Sequence, residues 1–276
     1  MKAMKKDRVI SSTIMILVTV AAITNTMAFN IVLISLICAG LYEFFHMMQI
    51  KKIPVYSYTG IVFGLLIPVS LLFQPKLTGK IELAFIVLVL LLIFLLQMAR
   101  NNNKDAIVGI STTLFGVLYV SWFFSFLLKT KFLLPGKEGE YLVGFVLLVT
   151  KMGDIGALAM GLRYGKHPLL PRISPNKTIE GSIGSFVFSI AAAVLAQGLL
   201  PASLQFSFWH IVMMGAFLGG IGQLGDLSES MIKRDCQVKD SGKILPGLGG
   251  VLDTIDSVLF TAPVFYFYMS SVLNVG

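Results

Sequence analysis

Apolar residues gather into nine runs of about twenty, near positions 9–27, 29–48, 57–74, 81–99, 106–128, 141–163, 180–200, 208–230 and 251–273. A hydrocarbon layer of roughly 30 Å is crossed by about 20 helical residues. The pattern therefore predicts an all-α, polytopic integral membrane protein of about nine transmembrane helices. The first five runs are nearly bare of charge, with Glu43 the one deep exception. Polar content rises after residue 150. Run six holds Lys151 and Asp154, and RYGKHPLLPRISPNKTIEG follows it. Runs eight and nine are joined by GDLSESMIKRDCQVKDSGKILPGLGGVLDTIDS, from Gly225 to Ser257. We expect residues 1–140 to form a transmembrane scaffold and 141–276 a catalytic region, within one integrated membrane domain.

Composition supports this reading. Hydrophobic residues make up 56% of the 276 and charged residues only 13%, where a soluble domain has about a quarter charged. The net charge of +8 is distributed as the positive-inside rule demands. With the N-terminus in the cytoplasm, sixteen Lys and Arg fall on that side, from Lys2, Lys5, Lys6 and Arg8 through Lys51, Lys52, Arg100 and Lys104 to Lys239 and Lys243. Lys76, Lys80, Lys129, Lys131 and Lys137 fall on the other. The basic residues thus report topology, and nucleic acid is not an expected partner. The basic start MKAMKKDR has no cleavage site after a short apolar stretch, so it reads as the tail of a retained first helix of a cytoplasmic (inner) membrane protein. Asn101–Asn103 with Lys104 read as a polar cytoplasmic turn. Cys38 and Cys236, one in a span and one in a loop, are not an expected disulfide.

Carboxylates at membrane depth are costly and rarely lack a role. Residues three or four apart share a helix face, so Asp226, Glu229 and Lys233 line one face, with Ser230 and Arg234 beside them. Asp253, Asp256 and Ser257 share another, and Lys151 with Asp154 form a third group. One such carboxylate could be a solvated boundary charge, and Lys151 could simply neutralise Asp154. Five in three helices point to chemistry. Mg²⁺ favours oxygen ligands and uses one or two carboxylates together with substrate phosphates. Asp226, Asp253 and Asp256 are the candidate ligands, and a second cation is compatible with them. Lys233, Arg234, Lys239 and Lys243, with Asp240 beside Lys239, would offset phosphate charge; ordinary loop charge is the plainer reading, above all for Lys243.

The turn Pro246-Gly247-Leu248-Gly249-Gly250 allows close backbone approach to a ligand, and the helix start after it is expected to offer free N–H groups to an anion. In the 163–181 loop, Ser174, Lys177 and Thr178 can donate to phosphate, while Thr178 also suits a helix cap. Glycines in runs six and eight suit close helix packing, which would bring Asp154 towards Asp226.

From Ser230 the order Lys233-Arg234, Lys239-Asp240, Pro246-Gly247, Gly249-Gly250, Asp253, Asp256 resembles the closing motif of bacterial phosphatidate cytidylyltransferases (CDP-diacylglycerol synthases). Asp154-Ile155-Gly156-Ala157, Ile173–Gly181 and Gly225-Asp226-Leu227 with Glu229-Ser230 resemble the family's other blocks, so the likeness spans roughly residues 145–265. The chain has Leu248 where the family usually has His, Thr254 where it has Arg and Leu158 where Tyr is common, and it adds Lys151.

The resemblance implies an enzyme that makes CDP-diacylglycerol and pyrophosphate from CTP and phosphatidic acid within the membrane lipid. It implies metal binding by Asp226, Asp253 and Asp256, and CTP phosphate contacts from Lys233, Arg234, Lys239 and the Gly247, Gly249 and Gly250 turn. Asp240 joins this catalytic group, and Asp154, Ser174, Lys177, Thr178, Glu229 and Ser230 would help hold substrate. A homodimer is compatible with the sequence but not dictated by it. Three other readings remain: a CTP-dependent lipid kinase of the dolichol kinase kind, a transporter with a charged pathway, and a non-catalytic lipid- or nucleotide-binding homologue.

Overall fold

The computed structural model describes residues 2–73, 79–100, 104–201, 204 and 206–274, with side chains at 2–10, 12, 16 and 79–82 outside the description. Lys76 and the turn at Asn101–Asn103 lie outside the described residues, as do the side chains of Lys2, Lys5, Lys6, Arg8 and Lys80. The helices are α1 Lys2–Thr24, α2 Thr26–Ile50, α3 Ser57–Phe73, α4 Gly79–Met98, α5 Ala106–Leu133, α6 Lys137–Tyr164, α7 Ile179–Leu195, α8 Phe208–Asp235 and α9 Leu252–Leu273. Among the described residues, five of them, α2, α5, α6, α8 and α9, are long and apolar enough to cross a membrane, and four shorter apolar helices lie near the other expected runs. Large apolar side chains such as Ile107, Leu162, Leu195 and Trp209 face outward. A multi-pass membrane protein has hydrocarbon to cover such a surface; a soluble one does not.

The chain forms two compact units, Met1–Lys129 with Asp235–Thr254, and Thr130–Arg234 with Ile255–Gly276. In the first, Ile37, Leu41, Phe44, Phe45 and Met47 make a fully buried face of α2. Glycines admit these side chains: a Cβ on Gly60 would meet the Phe45 ring, and one on Gly116 would meet the Phe44 ring at 2.6 Å. A π-helical turn at Val117–Trp122 interrupts α5. There Ser121 donates its hydroxyl to the Gly64 carbonyl of α3, a helix-to-helix bond of the kind that fastens membrane segments. Both cysteines are free, and burial pushes the Cys236 thiol up.

In the second unit α6 packs along α7 through small residues. A Cβ on Gly156 would lie 2.5 Å from the Gly184 carbonyl oxygen and 2.5 Å from Phe188, and Gly184 is as tightly placed against Met160. Gly215 and Gly219 of α8 meet Ser189, Ile190 and Ala193 of α7, and Gly222 meets Thr150 of α6. Close packing therefore accounts for these glycines, as their spacing suggests. The 163–181 loop adds a two-stranded antiparallel hairpin of β1 Pro168–Leu170 and β2 Ser174–Thr178. Proline explains it. Pro171 occupies the second position of a turn closed by the Ile173 N–H to the Leu170 carbonyl at 3.0 Å, and Pro175 holds Ser174 extended. Thr178 then caps α7, its side chain accepting from the Gly181 N–H at 3.1 Å, and Glu180 accepts the backbone N–H groups of Lys166 and His167.

Overpacking at such a crossing costs about 1–3 kcal/mol. Gly156→Val is expected to lower the thermal denaturation midpoint in detergent, whereas Gly144→Ala should leave it unchanged, because the added Cβ meets nothing nearer than Leu199 at 3.9 Å.

Candidate active site

The second unit brings Asp154, Lys151, Asp226, Asp256 and Lys177 together. On α6, Lys151 and Asp154 lie one turn apart, and the ammonium donates to Asp154 Oδ2 at 2.8 Å. It also donates to the Ser257 hydroxyl of α9 at 2.9 Å, and that hydroxyl donates to the same Asp154 oxygen at 2.8 Å. One closed triangle thus ties α6 to α9. Asp256 is 6% exposed and lies within electrostatic reach of Asp226, Lys151, Asp154 and Glu229. Its carboxylate accepts the Ser257 N–H at 2.6 Å. Gly225 on α8 is what permits this approach, since a Cβ there would meet the Asp256 backbone.

Asp226 forms an ion pair with Lys177 of the hairpin at 2.7 Å. Both line a pocket of about 510 Å³, together with Asp154, Asn176 and Thr178. Leu158, Leu162, Leu169 and Leu227 supply an apolar wall to the same pocket. The packing expectation for Asp154 and Asp226 is met here: they line one cavity. Ser174 stands at the turn end of β2 and is not among the residues that line it. Glu229 is fully buried and paired with Lys233, one turn on, and Ser230 is buried beside it. Arg234 is exposed at the end of α8.

The other candidates lie in the first unit, around the glycine turn. Gly247 and Gly249 have φ of 76° and 101°, a region closed to most side chains. The turn is tied by the Gly249 N–H to the Leu245 carbonyl at 3.0 Å and by the reverse bond at 3.0 Å. Asp253 Oδ2 accepts the Gly250 N–H at 2.7 Å and the Ser241 N–H at 2.9 Å, and the Ser241 hydroxyl stands 3.0 Å from it, its one proton shared between this oxygen and Glu43 Oε2 at 2.9 Å. The Val251 and Leu252 N–H groups are donated to the two oxygens of Glu43, at 3.0 and 2.9 Å.

One expectation is thereby corrected. The N–H groups that open α9 are not free for a bound phosphate, because the carboxylates of Asp253 and Glu43 already accept them. Lys239, Asp240 and Lys243 stand exposed on the loop that leads into the turn. Thr254 turns its hydroxyl back to the Gly250 carbonyl at 3.1 Å. Ser241 and the capping role of Glu43 were not visible in the motif. The signal for Glu43 was its isolation: it is the single deep charge in the first five apolar runs.

The donor set suits a hard cation, being carboxylate oxygen throughout. Among the described residues no three His, Cys, Asp or Glu side chains converge into a metal site.

Known proteins resemble this chain along most of its length. The cytidylyltransferase family model matches residues 6–272. The chain is 34% identical to the phosphatidate cytidylyltransferase of Bacillus subtilis (strain 168), over 84% of this chain and 86% of that protein. It is 34% identical to the protein of that name from Synechocystis sp. (strain ATCC 27184 / PCC 6803 / Kazusa), over 90% of each. It is 38% identical to that of Staphylococcus aureus (strain COL), over 59% of this chain and 60% of that protein. A match over nearly the whole length, with a pocket that sets two carboxylates and one lysine against an apolar wall, leaves one assignment: the chain belongs to the cytidylyltransferase family.

Proposed function

We propose that this chain is a phosphatidate cytidylyltransferase, acting at the cytoplasmic face of the cell membrane. A phosphate oxygen of phosphatidic acid attacks the α-phosphorus of CTP, the bond to the β-phosphate oxygen breaks, and pyrophosphate leaves. The product is CDP-diacylglycerol. The observation that carries this reading is the pocket in which Lys177, Asp226 and Asp154 face leucine side chains. Such a cavity suits a molecule with a phosphate at one end and acyl chains at the other. The cytoplasmic placement is supported by the sixteen-to-five division of basic residues.

Lys177 and Asn176 are assigned to the lipid phosphate, and the leucine wall to the start of its chains. The monoester is ionised near neutral pH, so no strong general base is required, and Leu248 in place of the family's usual His is compatible with turnover. Asp226 and Asp256 would hold Mg²⁺, which when bound offsets the charge of the phosphates. Lys151 keeps Asp154 and Ser257 fixed beside them, which limits the reorganisation left for the reaction itself. Asp253 is assigned to shaping the glycine turn. Exposed Lys239 and Lys243 are assigned to the phosphates of CTP.

With CTP labelled at the α- or the γ-phosphate, α-label is expected to enter lipid as pyrophosphate is released. Transfer from the γ-position alone would make the protein a kinase, and binding of CTP without transfer would make it a non-catalytic homologue. Chelation of Mg²⁺ should abolish transfer, and added Mg²⁺ should restore it. Asp226→Asn and Asp256→Asn should each lower kcat by about 10²–10³-fold at unchanged expression, the range seen when one preorganised electrostatic group is removed. Lys177→Ala should raise the KM for phosphatidic acid about tenfold or more, as loss of a charge-assisted phosphate contact does; equal kinetics in mixed micelles would count against the pocket.

A further inference from the structure

We infer that Glu43 is a positioning residue for the nucleotide: its carboxylate clamps the loop that presents Lys239, Asp240 and Lys243 at two points, Ser241 and the start of α9. The inference rests on the assignment of that loop to CTP phosphates made above.

Glu43 sits on α2, two hundred residues from the loop in sequence, and only 2% of it is exposed. A carboxylate so placed is expensive in a membrane protein unless it is fully supplied with donors. Its donors come from the loop. The Ser241 hydroxyl reaches Glu43 Oε2 at 2.9 Å on one side. The Val251 and Leu252 N–H groups reach Oε1 and Oε2 on the other. These two N–H groups belong to the opening of α9, where no earlier turn of helix supplies acceptors. Glu43 thus acts as a cap donated by a distant helix.

Two glycines record the closeness of the fit. A Cβ on Gly242 would meet the Glu43 carboxylate, with Cδ at 2.6 Å, and one on Gly250 would meet Ser241 Oγ and Glu43 Oε2. Ser11 of α1 adds a further tie, donating to the Pro246 carbonyl at 2.7 Å. Lys243 stands exposed between the two clamped points, and Lys239 and Asp240 stand exposed immediately before the first of them, Ser241. A loop fixed at these two points restricts Lys243 between them and Lys239 two residues before the first, so less ordering is needed when a triphosphate binds.

Glutamine at position 43 keeps the shape and one acceptor oxygen but sets an amide N–H₂ against a donor. Glu43→Gln is expected to raise the KM for CTP about tenfold or more, with the KM for phosphatidic acid moving less than about twofold. Ser241→Ala, which leaves both backbone bonds to Glu43, should act in the same direction and less strongly. Amide hydrogen exchange at residues 249–252 should quicken in Glu43→Gln. A purely structural role would instead lower the folded yield and shift both KM values alike, or neither, and that result overturns the inference. If the wild type transfers no label, the functional reading falls separately. Equilibrium CTP binding then decides here: weaker binding by Glu43→Gln supports the clamp, while equal binding, or none by the wild type, overturns it.

Discussion

A carboxylate placed among hydrocarbon must find donors or cations, and this fold is organised around meeting that demand. Charge at the centre of a membrane helix costs about 2.5–3.5 kcal/mol on insertion scales. The protein meets the demand in two ways. Glu43 is supplied by two backbone N–H groups and a serine hydroxyl. Asp154 and Asp226 are supplied by lysine ammonium groups, from Lys151 and Lys177. The first solution is neutral in its partners and fixes backbone. The second sets a lysine ammonium directly beside each carboxylate.

The small residues follow from the same demand. Side chains this short reach their partners only if helices approach closely, and glycine is what allows approach. Gly225 lets α8 come against Asp256, Gly153 and Gly156 let α6 come against α7, and Gly250 lets the turn come against Ser241 and Glu43. These contacts hold the carboxylates in place before any substrate arrives. Preorganised charge of this kind is where catalysis of phosphoryl-type transfer is gained.

The helices were legible because hydrophobic length encodes them. The apolar run near 208–230 became Phe208–Asp235, and the run near 251–273 became Leu252–Leu273. Lys151 with Asp154 and Glu229 with Lys233 were legible too, since helical spacing alone pairs them. Thr178 at its cap followed from local chemistry, its oxygen being three residues from the N–H it accepts. The hairpin was not legible: at three and five residues its strands are too short for periodicity to register, and two prolines determine it.

Sequence by itself therefore determined the membrane helices, the same-face charge pairs and the motif order that marks the family, because each depends on neighbours within a few residues. Tertiary structure decided the rest. Nothing local tells Glu43 that its partners are Ser241, Val251 and Leu252, or tells Lys177 that it will meet Asp226 across 49 positions. Nor could the glycine turn reveal that its N–H groups would already be occupied. Those pairings depend on which helices pack together, and packing is a property of surfaces brought together by folding, not of spacing along the chain.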